Sequence, residues 1–518
     1  MKKTILSGLF LLTGLCAQAQ NEITIEGKVG NVKDGYVVTL FRLDGRVGTT
    51  IATDTIEGGK FFFKVKPEAE LDRLDLFIHS TDFPSMSRNL FATPNSVIQV
   101  NGNGNCIYTW SVKSNVKEQQ EYDEYLYAAK DLWDKVQQIQ AEVSGLWGII
   151  DSYTSTDEEK NTAKSKMKTL HQQSSDIQSE IYLKEIALMK EKPVSMIWLD
   201  MLYGLSMSVR YNAACPFKED VLALYQRMTD VEKNSEQGKL IAANLFPPVT
   251  VKVGDDMADG DLYDLEGNLH HLSELKGKYI LLDFWSSGCG PCIMALPEMG
   301  ELQKKYADKL AIVSLSSDTE KRWREASKKH QMTWYNWSDK QQTAGLYVKY
   351  GVNGIPHYVL ISPEGKMVDT WSGYGKGNLL RKLRTYMHPK PAMSVVKEAG
   401  KLLVNYPDNR SNKTNGVLEI KQVECTPDAT IVRFKAYYTP NYWIKISEVA
   451  TLNTSEGKQY KALKADGITF DKEFFMPESG KAEFALTFEP LPMNTETFDF
   501  KEGKGKADWQ IVGIRLTE

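Results

Sequence analysis

The stretch Tyr279-Ile280-Leu281-Leu282-Asp283-Phe284-Trp285-Ser286-Ser287-Gly288-Cys289-Gly290-Pro291-Cys292 decides how this chain is read. Its first seven residues are largely apolar with Asp283 in their midst, the pattern of a strand covered on both faces. Ser286-Ser287-Gly288 ends the strand, and Cys289 opens a helix running toward Leu302. A cysteine at a helix N-terminus faces unsatisfied backbone N–H groups and the positive end of the dipole, which favour thiolate over thiol. Cys289 is therefore the expected nucleophile. Cys292 falls in the first helical turn beside it, close enough to attack a mixed disulfide on Cys289, and is the expected resolving thiol. The competing use of a Cys-x-x-Cys pair is half of a zinc site, which needs two further ligands at tight spacing. Cys106, Cys215 and Cys425 are isolated and His270-His271 have no matching pair, so no metal is expected.

The whole chain sets the frame for that motif. With 518 residues it predicts three to five folded units at roughly 100 to 200 residues per domain. A hydrophobic content of 42% and a charged content of 25% exclude wholesale disorder. The net charge of -4, from 63 Lys+Arg against 67 Asp+Glu, lacks the basic excess that a nucleic-acid partner demands. Six cysteines are too few for a disulfide scaffold, which points the close pair toward chemistry. Lys2 and Lys3, the apolar run Ile5 to Leu15 and Ala17-Gln18-Ala19 read as a signal peptide over residues 1–19, with the mature chain starting at Gln20 in an extracytoplasmic space, the periplasm. The run is too short to cross a hydrocarbon layer of about 30 Å. Bulky Leu15 before Cys16 argues against lipoprotein anchoring.

The fold class expected is multidomain, with boundaries set where the hydrophobic period changes. Residues 20–114 alternate at period two between Asp34-Gly35, Asp44-Gly45 and Gly58-Gly59 turns and predict a small antiparallel β domain. Residues 115–247 predict a helical domain: steps of three and four from Tyr122 to Ile150 read as one long amphipathic helix. Thr156 and Glu159 have capping-box spacing before a second helix, and Pro193 suits the first turn of a third. Residues 248–388 alternate strand and helix as in an open α/β sheet. After the stiff linker His388-Pro389-Lys390-Pro391, residues 392–518 return to period two and predict a C-terminal β-sandwich.

Asp283-Phe284-Trp285 ahead of Cys289-Gly290-Pro291-Cys292, and Pro297 five residues after it, resemble thioredoxin. Gly354-Ile355-Pro356 before the strand His357 to Ile361 looks like the cis-proline loop of that family. The extension Val253 to Leu275, with a hairpin-like Asp264-Leu265-Glu266-Gly267-Asn268, and a helical insertion between Asp318 and Tyr350 are similar to the TlpA/ResA branch of extracytoplasmic thiol-disulfide oxidoreductases. The resemblance implies that Cys289 attacks, Cys292 resolves, Asp283 accepts a proton, and Trp285, which packs the site, forms the surface that meets substrate together with Gly290, Pro291, Ile355 and Pro356. Gly288 stands where thioredoxin has Trp, which removes an aromatic wall of the groove. The function implied is a periplasmic reductase of protein disulfides. It needs no cofactor beyond the redox-active Cys289–Cys292 disulfide, and its electrons come from a membrane thiol donor of the DsbD or CcdA kind. Isomerase or oxidase action, and an envelope binding or assembly role with secondary redox chemistry, are the alternatives.

Overall fold

The computed structural model describes residues 21–45, 47–388, 390–503, 505 and 508–517. The segment read as a signal peptide and Pro389 of the linker lie outside the described residues. The chain divides into two compact units, Met1–Val249 with Asp318–Arg322 and Gln341–Val348, and Thr250–Ser317 with Trp323–Lys340 and Lys349–Glu518.

In the first unit the β region forms two four-stranded sheets. One runs in the order β4 (Lys60–Val65), β1 (Ile23–Gly30), β7 (Val97–Asn103), β8 (Ser111–Lys113); the other β3 (Val47–Thr55), β2 (Val37–Asp44), β5 (Asp72–Ile78), β6 (Arg88–Ala92). The expectation of a small antiparallel β domain is corrected at one pairing, since β1 and β7 are parallel, with Ile25 beside Ile98. Alternation tells which side chains turn inward but not which strand lies alongside. Those inward residues, Ile23, Ile25, Val38, Leu40, Phe61, Leu76 and Val100 among them, close on Trp110 in one core.

The single helix expected from Tyr122 to Ile150 is two, α1 (Lys117–Ala128) and α2 (Lys130–Asp151), parted at Ala129 with φ -127° and ψ 23°. Each half is anchored by its own buried polar contacts. On α1, Asp123 pairs with the fully buried Arg88, and Gln119 accepts from the Phe91 N–H at 2.8 Å. On α2, Gln137 accepts from the Tyr108 N–H at 2.8 Å. An apolar stripe continues through such a break, so period alone does not reveal it. The capping box of Thr156 and Glu159 opens α3 (Asp157–Glu191) as expected. Ser195, not Pro193, caps α4 (Met196–Tyr211), which leaves the proline outside the helix. Helices α5 (Lys218–Gln226), α6 (Asp230–Asn234) and α7 (Glu236–Leu245) complete the unit.

The second unit begins with the hairpin β9 (Leu262–Tyr263) and β10 (Leu269–His270). Its central sheet has the order β13 (Tyr335–Trp337), β12 (Leu310–Ser316), β11 (Tyr279–Trp285), β14 (His357–Ile361), β15 (Met367–Ser372). Along the chain, helices α8 (Gly290–Lys305), α9 (Glu320–His330), α10 (Leu346–Lys349) and α11 (Asn378–Met387) alternate with these strands, with Glu320–Arg322 of α9 and Leu346–Val348 of α10 falling in the first unit. The inserted stretch is therefore not only helical, because β13 within it extends the sheet at one edge. Strand β14 is antiparallel to β11 with His357 opposite Phe284, so the loop leaving β11 and the loop entering β14 meet at one end of the sheet.

Beyond α11 the strands β16 (Ser394–Glu398), β17 (Lys401–Asn405), β18 (Ser411–Asn412), β19 (Leu418–Cys425), β20 (Thr430–Tyr437), β22 (Thr451–Thr454), β23 (Gln459–Asp466), β25 (Lys481–Phe488), β26 (Thr497–Lys501) and β27 (Gln510–Arg515) form one ladder of ten strands. A separate pair, β21 (Trp443–Ile444) and β24 (Phe474–Phe475), flanks it. A β-sandwich was the expectation for residues 392–518. Instead β23 pairs with β22 along its first part and with β25 along its second, shifting register between Ala462 and Lys464, so the ladder continues through it. The two halves still share a core, in which Phe434 of β20 meets Phe500 of β26 at 5.0 Å between ring centres.

Helix α11 joins α8 to this sheet. Glu298 of α8 accepts from the backbone N–H groups of Gly377 and Leu380 at 2.8 and 2.9 Å and from the Tyr374 hydroxyl at 3.0 Å. Gly377, which precedes α11, has no side chain to cap it, and the carboxylate of a neighbouring helix takes that part. On the other side Arg384 lies 3.4 Å from the ring centre of Tyr437 and pairs with Glu419 at 2.9 Å, while Arg381 covers Tyr438 at 5.0 Å.

Candidate active site

Strand β11 is buried along nearly its whole length and delivers the chain to Cys289 at the start of α8. Cys289 and Cys292 are disulfide-bonded. The Cys289 sulfur occupies the N-cap position and accepts from the Cys292 N–H at 3.2 Å, so a backbone donor points at this atom where a thiolate would form. The two sulfurs are unequally exposed: Cys289 is half-buried, whereas Cys292 is 1% exposed. Only the first can meet a large partner. Gly290 and Pro291 are exposed at the turn between them.

Asp283 sits on β11 with no exposed surface. Burial raises its carboxyl to about 7, and the Ser314 hydroxyl, which donates to it at 2.7 Å from β12, pulls in the opposite direction. Ser314 is held in turn by the Trp334 indole N–H, which donates to its oxygen at 2.8 Å. The other carboxyl oxygen of Asp283 has no hydrogen-bond partner. Tyr358, opposite Asp283 on β14, is buried and stacked on Trp371 at 5.4 Å, and burial pushes its phenol far up, out of titration near neutrality. A carboxyl with one oxygen satisfied and one open, half ionised near neutrality, has the properties of a proton acceptor.

The bond between Ile355 and Pro356 is cis. Ile355 is half-buried against the cluster around the cysteines, and Pro356 is buried. Trp285 is fully buried and packs with Cys292, Trp323 and Ala326, so it supports the site from beneath and presents no surface to a substrate. Leu265, at the tip of the β9–β10 hairpin, also packs on this cluster, together with Ile293 and Met332. An aliphatic side chain from the extension thus contributes an apolar wall near Cys289 in a site that has Gly288 where thioredoxin carries Trp.

Four supporting residues escaped the sequence reading. Ser314 had a signal, a small polar residue within the apolar strand Leu310–Ser316, but its meaning depends on the register that sets it opposite Asp283. Trp334, Trp323 and Leu265 come from the insertion and the extension, and nothing in their local spacing points to the cysteines. Trp323 is fixed by its indole N–H donating to Asn336 at 3.0 Å. Among the described residues no group of three or more His, Cys, Asp and Glu could hold a metal ion.

A thioredoxin-like family profile matches residues 277–367, which contain both cysteines, Asp283 and Pro356. Over 129 residues the chain is 33% identical to the thioredoxin-like protein YneN of Bacillus subtilis (strain 168), a match covering 24% of this chain and 74% of that protein. It is 32% identical over 121 residues to the thiol-disulfide oxidoreductase ResA of Bacillus anthracis, covering 23% and 69%. The chain belongs to the TlpA/ResA-type thioredoxin-like proteins. Among solved structures, this TlpA/ResA-type chain is similar to the thioredoxin domain of a thiol-disulfide oxidoreductase from Bacteroides vulgatus, with 29% identity and a TM-score of 0.23, covering 24% of this chain and 91% of that one. TlpA/ResA-type membership makes the chain a thiol-disulfide oxidoreductase and assigns that chemistry to the second unit, which holds Cys289 and Cys292.

Proposed function

We propose that this oxidoreductase reduces disulfides of periplasmic proteins through the Cys289–Cys292 couple. The observation that carries the reading is the unequal exposure of the two sulfurs, with an accessible Cys289 at a helix N-cap and Cys292 beneath it. The Cys289 thiolate attacks one sulfur of the substrate disulfide, and the other substrate sulfur leaves as a thiolate that takes a proton from water. Asp283 then accepts the proton of Cys292, whose thiolate attacks the Cys289 sulfur. The second substrate sulfur leaves as a thiolate and takes a proton from water, so the substrate departs as a dithiol carrying two electrons from the cysteine pair, which is oxidised to the Cys289–Cys292 disulfide. A membrane thiol donor of the DsbD or CcdA kind returns them. Ile355, with Gly290 and Pro291, forms the surface against which the substrate lies in extended conformation, and the buried Pro356 lies next to Ile355 behind it. The signal-like residues 1–19 and the matched ResA relative support an extracytoplasmic location.

Replacing Cys292 with Ser tests this. The variant should accumulate mixed disulfides with periplasmic cysteine proteins, reversible in reductant and absent when Cys289 is Ser. A couple with a potential near the thioredoxin value of about -270 mV fits a reductase, and one near about -120 mV an oxidase. Failure to trap any Cys289-dependent adduct, with the first unit still retaining a partner, would move the assignment to an envelope binding protein.

A further inference from the structure

The C-terminal sheet carries a second concave surface that the redox chemistry does not use. A cleft of about 400 Å³ is lined by Tyr438, Tyr442, Trp443, Trp509, Lys445, Glu502 and Asp508, with Ile444 also in its wall. That volume suits a small ligand of one or two rings. Tyr442 and Trp443 are 54% and 47% exposed, an unusual placement for rings that a monomer gains by burying. Phe475, the cross-strand partner of Trp443 on β24, is 60% exposed and carries the aromatic surface beyond the cleft. Two of the rings are braced from behind. Tyr438 is covered by the Arg381 guanidinium, and both Tyr438 and Trp509 pack on the core of the sheet. Rigid aromatic faces on a supported base offer binding area at little cost in conformational entropy.

The polar lining narrows the class of ligand. Glu502 is half-buried and held by the Ser447 N–H at 2.9 Å; Asp508 accepts from the Gly505 N–H at 2.6 Å. An apolar peptide would cover these carboxylates and Lys445 without offering them partners, at the cost of their desolvation. A cationic group would suit the rings and carboxylates but meets Lys445 in the same cleft. A ligand is required that has an apolar C–H face for the rings and, around its edge, groups that both donate to carboxylates and accept from an ammonium. We propose that this cleft binds a saccharide, one or two pyranose rings lying on Trp443 and Tyr442 with their hydroxyls directed at Glu502, Asp508 and Lys445.

The test is calorimetric titration of the full chain with cellobiose, maltose, N,N′-diacetylchitobiose and, as the cationic rival, choline, together with pelleting on insoluble peptidoglycan. At least one disaccharide should bind with a dissociation constant of about 1 mM or tighter. Trp443→Ala, at an exposed position, should weaken it at least about tenfold and Glu502→Gln by a smaller factor, while disulfide reduction is unchanged in both. Pelleting without free-disaccharide binding would place the recognised unit in the polymer and still supports a saccharide, provided Trp443→Ala abolishes it. Absence of both, binding indifferent to Trp443→Ala, or binding of choline alone would each overturn the proposal.

Discussion

At Asp283 the balance between burial and one hydrogen bond sets the pH range in which the enzyme can turn over. Burial raises the carboxyl to about 7, so the base form gains population as pH climbs through neutrality and is lost below it. The rate of mixed-disulfide resolution should therefore rise with pH through about 7. Asp283→Asn should remove that rising limb and slow resolution at neutral pH by about 10²-fold, measured by quenching single turnovers across pH 6 to 8. Ser314→Ala removes the one hydrogen bond that favours the ionised form, so the limb should move up by about one pH unit, and Ser314→Thr should restore it. A parent-like profile in the alanine variant would show that Ser314 only fills space. Asp283 and Pro356 were singled out through the resemblance to thioredoxin, whereas Cys289 and Cys292 could be picked out in the sequence because their chemistry is written in local spacing. Ser314 could not, because only the pairing of β11 with β12 gives it a carboxylate to bind.

The β9–β10 hairpin shows how an element far along the chain from the cysteines reaches them. His270 stacks flat on Trp337 of β13 at 4.8 Å and lies between Asp264 at 3.1 Å and Glu274 at 3.4 Å. Its imidazole is raised above the ordinary value chiefly by the Asp264 hydrogen bond, against a smaller cost of burial. A raised histidine contributes its full stabilisation below the unfolded value of 6.5 and loses it as pH rises through the folded value. The hairpin, and with it Leu265 on the cluster that Cys289 also packs against, should be held more firmly at pH 6 than at pH 8. Limited proteolysis at Glu266-Gly267 should accelerate severalfold over that range in the parent, and His270→Asn should cut fast at both. The sequence suggested this hairpin through Asp264-Leu265-Glu266-Gly267-Asn268, whereas its placement depends on an aromatic contact with the insertion that no period encodes. For the same reason the break at Ala129 and the parallel pairing of β1 with β7 were hidden, since both are fixed by what lies alongside the segment.

On the scale of the molecule, the first unit contains a carboxyl that redox chemistry does not explain. Glu185 of α3 is 4% exposed and burial raises it to about 8. Below pH 4.5 it is neutral folded or unfolded and costs nothing; above, the unfolded chain ionises first, so stability falls until about pH 8 and then levels. Glu185→Gln should stabilise the first unit by an amount that grows through this window at up to about 1.4 kcal/mol per pH unit, read from denaturant midpoints. A gain independent of pH would assign the effect to packing.

The capping of α11 by Glu298 has a consequence for how the second unit opens. The amides of Gly377 and Leu380 are closed by a side chain carried on the active-site helix, and the same short helix holds two arginines over tyrosines of the C-terminal sheet. Neither neighbour can release α11 alone without leaving a charge or a row of backbone donors behind. In amide hydrogen exchange these protons should open together with α8 as one cooperative block, and strands β19 and β20 of the C-terminal sheet become part of what keeps the redox helix closed.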